Sequence, residues 1–256
     1  MRYLIQPLNN KDTQMKNIKH LVIISSTLII ISVILGSSFK NAFEHLNTIK
    51  ITGSAKKDFL SDIIIWDGSF STKNMELEEA YKKLDLDKNF IITYLHKNNV
   101  PFEDAVFSSI NIEKIYKNKT DRDGIRTKEF DGYLLRQNYK IESRAVVGIE
   151  HLSRDITSLI DKGLEIQSNS PYYFYSELAD LKIDMISEAT RDAKIRAEKI
   201  AENSNSGLGE LLNAQMGVFQ ITAKHSTERY TWGGTHNKTS RDKTAHVTMK
   251  LTYDVQ

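Results

Sequence analysis

The chain has no cysteine, three prolines and two tryptophans in 256 residues. The missing cysteine excludes a disulfide framework, a thiolate zinc site, an iron–sulfur cluster, a cysteine nucleophile and a lipoprotein anchor. A surplus of one charge is also lacking: 35 Lys+Arg stand against 33 Asp+Glu, which gives no support for a nucleic-acid partner. The seven histidines show no H-E-x-x-H or H-x-H spacing, and no serine stands in a G-x-S-x-G elbow. Gly207-Leu208-Gly209 and Gly233-Gly234 lack the further glycine and lysine of a phosphate loop and read as turns. Low-complexity runs and Pro/Gly/Ser linkers are absent from residues 49–256. At 40% apolar and 27% charged residues, the chain has a globular composition, which excludes wholesale disorder.

One long hydrophobic run is present. Between His20 and Lys40 lie nineteen residues without a charge, close to the about 20 that cross a bilayer. The preceding residues 1–20 hold Arg2, Lys11, Lys16 and Lys19 against Asp12 alone, so this stub is expected to stay in the cytoplasm. The reading is a stub at 1–20, an uncleaved transmembrane anchor at 21–39, a linker at 40–48 and an exported domain at 49–256. The alternative is a signal peptide cleaved after Gly36 and Ser38 at −3 and −1, releasing the domain to the periplasm. Without residues 1–39 the remainder carries 31 basic and 32 acidic residues.

The exported part alternates between strands and helices. Residues 244–255 place Ala245, Val247, Met249, Leu251, Tyr253 and Val255 on one strand face. Residues 132–142 and 105–116 read as strands, the second with Val106, Ile110, Ile112 and Tyr116 on its apolar side. Residues 61–71 are apolar on both faces at the start and suit a central strand. Shorter strands are expected at 49–55, 172–176 and 215–223. Helices are expected at 75–98 (with Asn74 as cap), 150–162 and 178–203. The last carries Ala189, Ala193, Ala197 and Ala201 at spacings of four, a stripe for close packing or, alternatively, an oligomer seam. Directly joined strand pairs argue antiparallel pairing. The predicted class is therefore α+β: a transmembrane helix, then mostly antiparallel strands with about three packed helices. Two polar stretches, 117–131 and 224–243, are expected to be long hairpin loops.

Several blocks resemble the bacterial SIMPL-domain family. They are Ile51-Thr52-Gly53-Ser54-Ala55 with Ser61-Asp62-Ile63-Ile64-Ile65-Trp66, and Tyr173-Phe174-Tyr175 leading into Glu177-Leu178-Ala179-Asp180-Leu181-Lys182. The longest runs from Met185 through Ala189, Ala193, Ala197 and Ala201 to Gly207-Leu208-Gly209 and on to Ala214-Gln215-Met216-Gly217-Val218-Phe219-Gln220-Ile221. Gly132-Tyr133 falls where the family has an aromatic strand start. The resemblance spans 49–256. It implies an exported envelope protein of the periplasmic immunogenic protein type, an α+β fold and a tendency to self-associate. It brings no catalytic residues and no cofactor. Lys182-Ile183 departs from the Lys-Pro pair of many relatives.

The candidate interaction surface consists of Tyr230 and Trp232 in the polar loop, with Ala189, Ala193 and Ala197 on the helix stripe. Aromatics in a polar loop suit a partner, a sugar or a lipid headgroup. Asp62, heading an apolar strand, is the acid that a hydrolase would use, its plainer role being a strand-end residue. His225, His236 and His246 cluster in the last hairpin as a candidate metal set, their plainer role being a solvated loop. The expected function is non-catalytic: an inner-membrane envelope protein, its domain in the periplasm, that self-assembles or binds an envelope partner, with envelope stress tolerance as the role the resemblance suggests. The alternative is a periplasmic hydrolase or metal-binding enzyme.

Overall fold

The computed structural model describes residues 10–43, 47–120 and 126–255. The fold is α+β, with an apolar helix at the amino end followed by antiparallel sheets and three further helices. Helix α1 (Asn10–Phe43) contains the span His20–Ser37, which is long and apolar enough to cross a bilayer and is wholly exposed. Its Ser25, Ser26, Thr27 and Ser37 hydroxyls donate to carbonyls three or four residues back. These serines and threonine thus satisfy themselves within the helix, as a hydrocarbon environment requires. Helix α1 ends at Phe43 and strand β1 (Thr48–Leu60) starts at Thr48.

The chain divides into two compact units. The larger comprises residues 53–192 and 216–249. Its six-stranded sheet has the order β3-β5-β2-β6. Here β2 is Ile63–Asn74, β3 is Ala105–Phe107, β5 is Arg126–Ser143 and β6 is Glu165–Ser168. Strand β4 (Asn111–Thr120) adds to β5, and β7 (Tyr172–Phe174) adds to β2. β2 is central as expected, paired along Ile64–Asn74 with β5 and on its other side with β6 and β7. Its Ile64, Trp66 and Phe70 join Leu135, Tyr139 and Ile141 of β5 in the core. Helix α2 (Leu77–Lys97) covers them with Ala80, Leu84, Ile91 and Leu95, and helix α3 (Val146–Asp155) adds Val146, Ile149 and Leu152. Each buried Leu or Ile contributes about 1.5–3 kcal/mol. Trp66 and Tyr139 meet edge to face at 5.3 Å.

Gly68 is the small residue this arrangement requires. A Cβ there would lie 2.3 Å from both the Gln167 carbonyl and the Tyr139 hydroxyl. Gly132 has φ +111, and a Cβ would meet the Asn74 carbonyl at 2.7 Å.

The smaller unit comprises residues 1–52, 193–215 and 250–256. It takes the start of β1, the second half of helix α4 (Leu178–Asn203), most of strand β8 (Leu208–Met216) and the end of strand β10 (Asp242–Val255). The four-stranded sheet runs β1-β10-β8, with β9 (Gln220–Ala223) on the start of β10. Alternation in β10 is as the sequence predicts: Ala245, Val247, Met249, Leu251 and Tyr253 are all buried. In the smaller unit β8 lies at the sheet edge, with Gly209 against Asp254 of β10.

Several expectations are corrected. The strand at 105–116 is broken at 108–110 into β3 and β4, and Val106 on β3 and Ile112 and Tyr116 on β4 are exposed. The stretch 117–131 is no long loop: β4 reaches Thr120 and β5 begins at Arg126, leaving a tip at 121–125 outside the described residues. Cross-strand pairs Lys117–Asp131 and Lys119–Glu129 let this polar ribbon remain extended. Strand β1 is longer than 49–55, and Ser61–Asp62 turn the chain into β2. The strand at 215–223 divides into the end of β8 and β9; β6 and most of β8 were not legible. The helix at 150–162 begins earlier, and 156–162 tighten into a 3-10 helix ending at Gly163, φ +80. On α2, Leu77 and Tyr81 are exposed, whereas Asp87 is buried against Lys83. Asn74 lies before the helix, accepting from the Glu76 amide at 3.1 Å.

Candidate interaction surface

The polar stretch 224–243 connects β9 to β10 and is built around one buried side chain. Gln220, 6% exposed, reaches from β9 into the loop. Its Oε1 accepts from the Thr231 amide at 3.3 Å and the Thr235 amide at 2.8 Å, while its Nε2 donates to the Thr231 carbonyl at 2.9 Å. Gly234, at φ +91, donates its amide to the same carbonyl at 3.1 Å. Glu228 holds the next layer, accepting from the Ala223 amide and from Asn237 Nδ2. The loop is thus a hydrogen-bonded turn, and Trp232 stands at its tip with 101% relative exposure.

Tyr230 has a neighbour: its ring stacks on His246 at 5.2 Å and 17°. It also lines a polar groove of about 270 Å³ with Lys56, Asp58, His225 and Glu228. Asp58 accepts from the Thr244 hydroxyl and pairs with Lys224, and these hold its carboxyl below the usual value. Burial lowers the pKa of His246, with Lys56 adding to it. Burial also lowers that of His236, helped by Lys243, Lys238 and Lys182. Both effects favour neutral imidazoles at neutral pH. His225 sits in a left-handed turn, φ 59. Among the described residues, no three His, Asp or Glu side chains gather as a metal centre would need.

Asp62 is a connector. Its carboxylate accepts from the Ser176 amide at 2.7 Å and from the Ser176 hydroxyl, with Arg144 at 3.8 Å. Burial opposes its charge, but Ser176 and Arg144 outweigh that and hold the pKa below the ordinary value. The group joins the head of β2 to the chain after β7.

The alanine stripe is corrected as a surface. Ala189, Ala193 and Ala197 are 0% exposed, because their missing bulk lets neighbouring elements close over them. They are packing residues and offer no face to a partner. Sequence reasoning missed β8 instead. Leu211, Leu212 and Met216 are 49%, 41% and 51% exposed, and Glu210 is the strand's single charge. The signal was a run of nine residues with almost no charge.

The described residues thus form an α+β domain that carries a hydrogen-bonded aromatic turn and a nearly uncharged edge strand. The chain belongs to the SIMPL family, described as a protein of unknown function (DUF541), whose model matches residues 49–253. This match indicates no catalytic family. No curated protein matches the chain.

Proposed function

We propose that this is a membrane-anchored envelope protein whose SIMPL domain works without catalysis, through self-association. The amino stub is cytoplasmic, the apolar helix is the anchor and the domain lies in the periplasm. The reading draws on the exposed span His20–Ser37 and on the excess of Lys/Arg before it.

The observation that carries self-association is β8. Edge strands are normally blunted by lysines, prolines or bulges. β4 is blunted in this way by Lys114, Lys117 and Lys119, and β1 by Lys50, Lys56 and Lys57. β8 has no lysine, no proline and three exposed apolar side chains. Antiparallel addition of β8 to β8 of a second copy would give a closed two-fold contact. Envelope stress tolerance is the role this reading suggests for the assembly.

Light scattering on the full chain in detergent tests it. A protein mass of two or more protomers is expected, falling to one in Leu212→Lys with thermal unfolding unchanged. A monomeric wild type, or an oligomer indifferent to Leu212→Lys, would overturn the role of β8.

A further inference from the structure

The Trp232 turn is a second surface, which meets β8 only at Met216. The loop spends three side-chain hydrogen bonds from buried Gln220 on residues 231 and 235, yet leaves its largest apolar side chain wholly in water. A turn held from within orders little further on docking, so its exposed indole is pre-organised. Beside it, Val218 and Met216 are also half-exposed. They line a shallow groove of about 410 Å³ with Phe219, Gly233, Gly234 and Lys182. Lys182 Nζ lies 5.6 Å from the centre of the Phe219 ring.

Charge selects the occupant. Leaving aside buried Lys243, residues 224–242 carry Lys224 (paired with Asp58), Arg229, Lys238 and Arg241 against Glu228 and Asp242, a net +2 in a domain otherwise without basic surplus. Arg229 and Lys238 are exposed near the tip in sequence. An indole that protrudes from a basic loop matches the headgroup layer of an anionic bilayer, where tryptophan prefers to sit. Helix α1 ends at Phe43 and β1 starts at Thr48, so the two are close in sequence. This tether keeps the domain at high effective concentration near the bilayer that holds the helix.

We infer that the Trp232 turn docks into the anionic surface of the bilayer in which the chain is anchored, with Trp232 as the wedge and Arg229 and Lys238 as phosphate contacts. The inference rests on the anchored reading above.

The two tryptophans make the test clean, because Trp66 is 0% exposed and the apolar helix contains none. The full chain is reconstituted into vesicles of neutral or anionic lipid with brominated acyl chains. In anionic vesicles Trp232 emission should be quenched; Trp232→Phe should abolish the quenching and leave Trp66 emission unchanged. Arg229→Gln and Lys238→Gln should each weaken docking about fivefold. Flotation that resists alkaline carbonate reports the helix separately. Flotation without quenching overturns the wedge and leaves the anchor. Quenching without alkali-resistant flotation removes the anchor, and with it the claim that the docked bilayer is the chain's own. Quenching confined to added brominated vesicles, or protection of Trp232 by soluble glycan fragments in place of lipid, also overturns the inference.

Discussion

Lys243 offers a perturbation whose size can be worked from the structure. It is 1% exposed, and its ammonium donates to one backbone carbonyl, that of Tyr173. No carboxylate among the described residues lies within 4.0 Å to pair with it. Burial pushes its pKa down from 10.5 to about 8, which corresponds to roughly 3 kcal/mol against the charged form. Lys243→Met keeps the volume and removes the charge, but leaves the Tyr173 carbonyl short of a donor, at a cost of about 1 kcal/mol. At pH 7 the variant should therefore be more stable than wild type by about 2 kcal/mol. The pH dependence has a definite sign. Between about 8 and the unfolded value of 10.5, the unfolded state holds a proton that the folded state has lost. Wild-type stability therefore rises with pH across that window relative to the variant, and by its upper end the order should reverse. Tyrosines titrate in both proteins and cancel in the difference. Urea titrations followed by Trp66 emission at pH 7, 8, 9 and 10.5 give this difference directly. A difference that stays constant with pH would refute the claim that a buried, unpaired charge sets it. As a second reading, the His236 pKa, which Lys243 helps to lower, should move up in the variant by NMR.

Two other substitutions probe packing. Gly68→Ala should destabilise the larger unit by about 2–4 kcal/mol, since the new methyl would overlap a backbone carbonyl and the Tyr139 hydroxyl; the urea midpoint checks it, and near-UV dichroism should report the displaced Trp66–Tyr139 pair. Ala193→Leu should cost about 1–3 kcal/mol by overpacking a fully buried position, and an unchanged melting temperature would remove the close-packing claim.

The sequence by itself determined the features that depend on local periodicity and composition. Nineteen uncharged residues define the apolar helix whatever the rest of the chain does. Residue alternation is enough to place Ala245, Val247, Met249 and Leu251 on the buried face of β10, and a four-residue spacing is enough to run α4 from Leu178 to Asn203. The family blocks were legible for the same reason: they are contiguous. The tertiary structure decided what depends on neighbours distant in sequence. Whether Val106 on β3 and Ile112 on β4 are covered depends on what packs over those strands, and both side chains are exposed. The alanine stripe reads equally well as a core or as a seam, and only the elements that close over it distinguish the two. The order of Tyr230 and Trp232 was also undecided, since both are aromatics in one polar loop. The fold placed His246 under Tyr230 and Gln220 under the turn, and left Trp232 with water. An edge strand, finally, is defined by a missing neighbour, which no local pattern records: β8 shows its openness only once β10 has taken its one side.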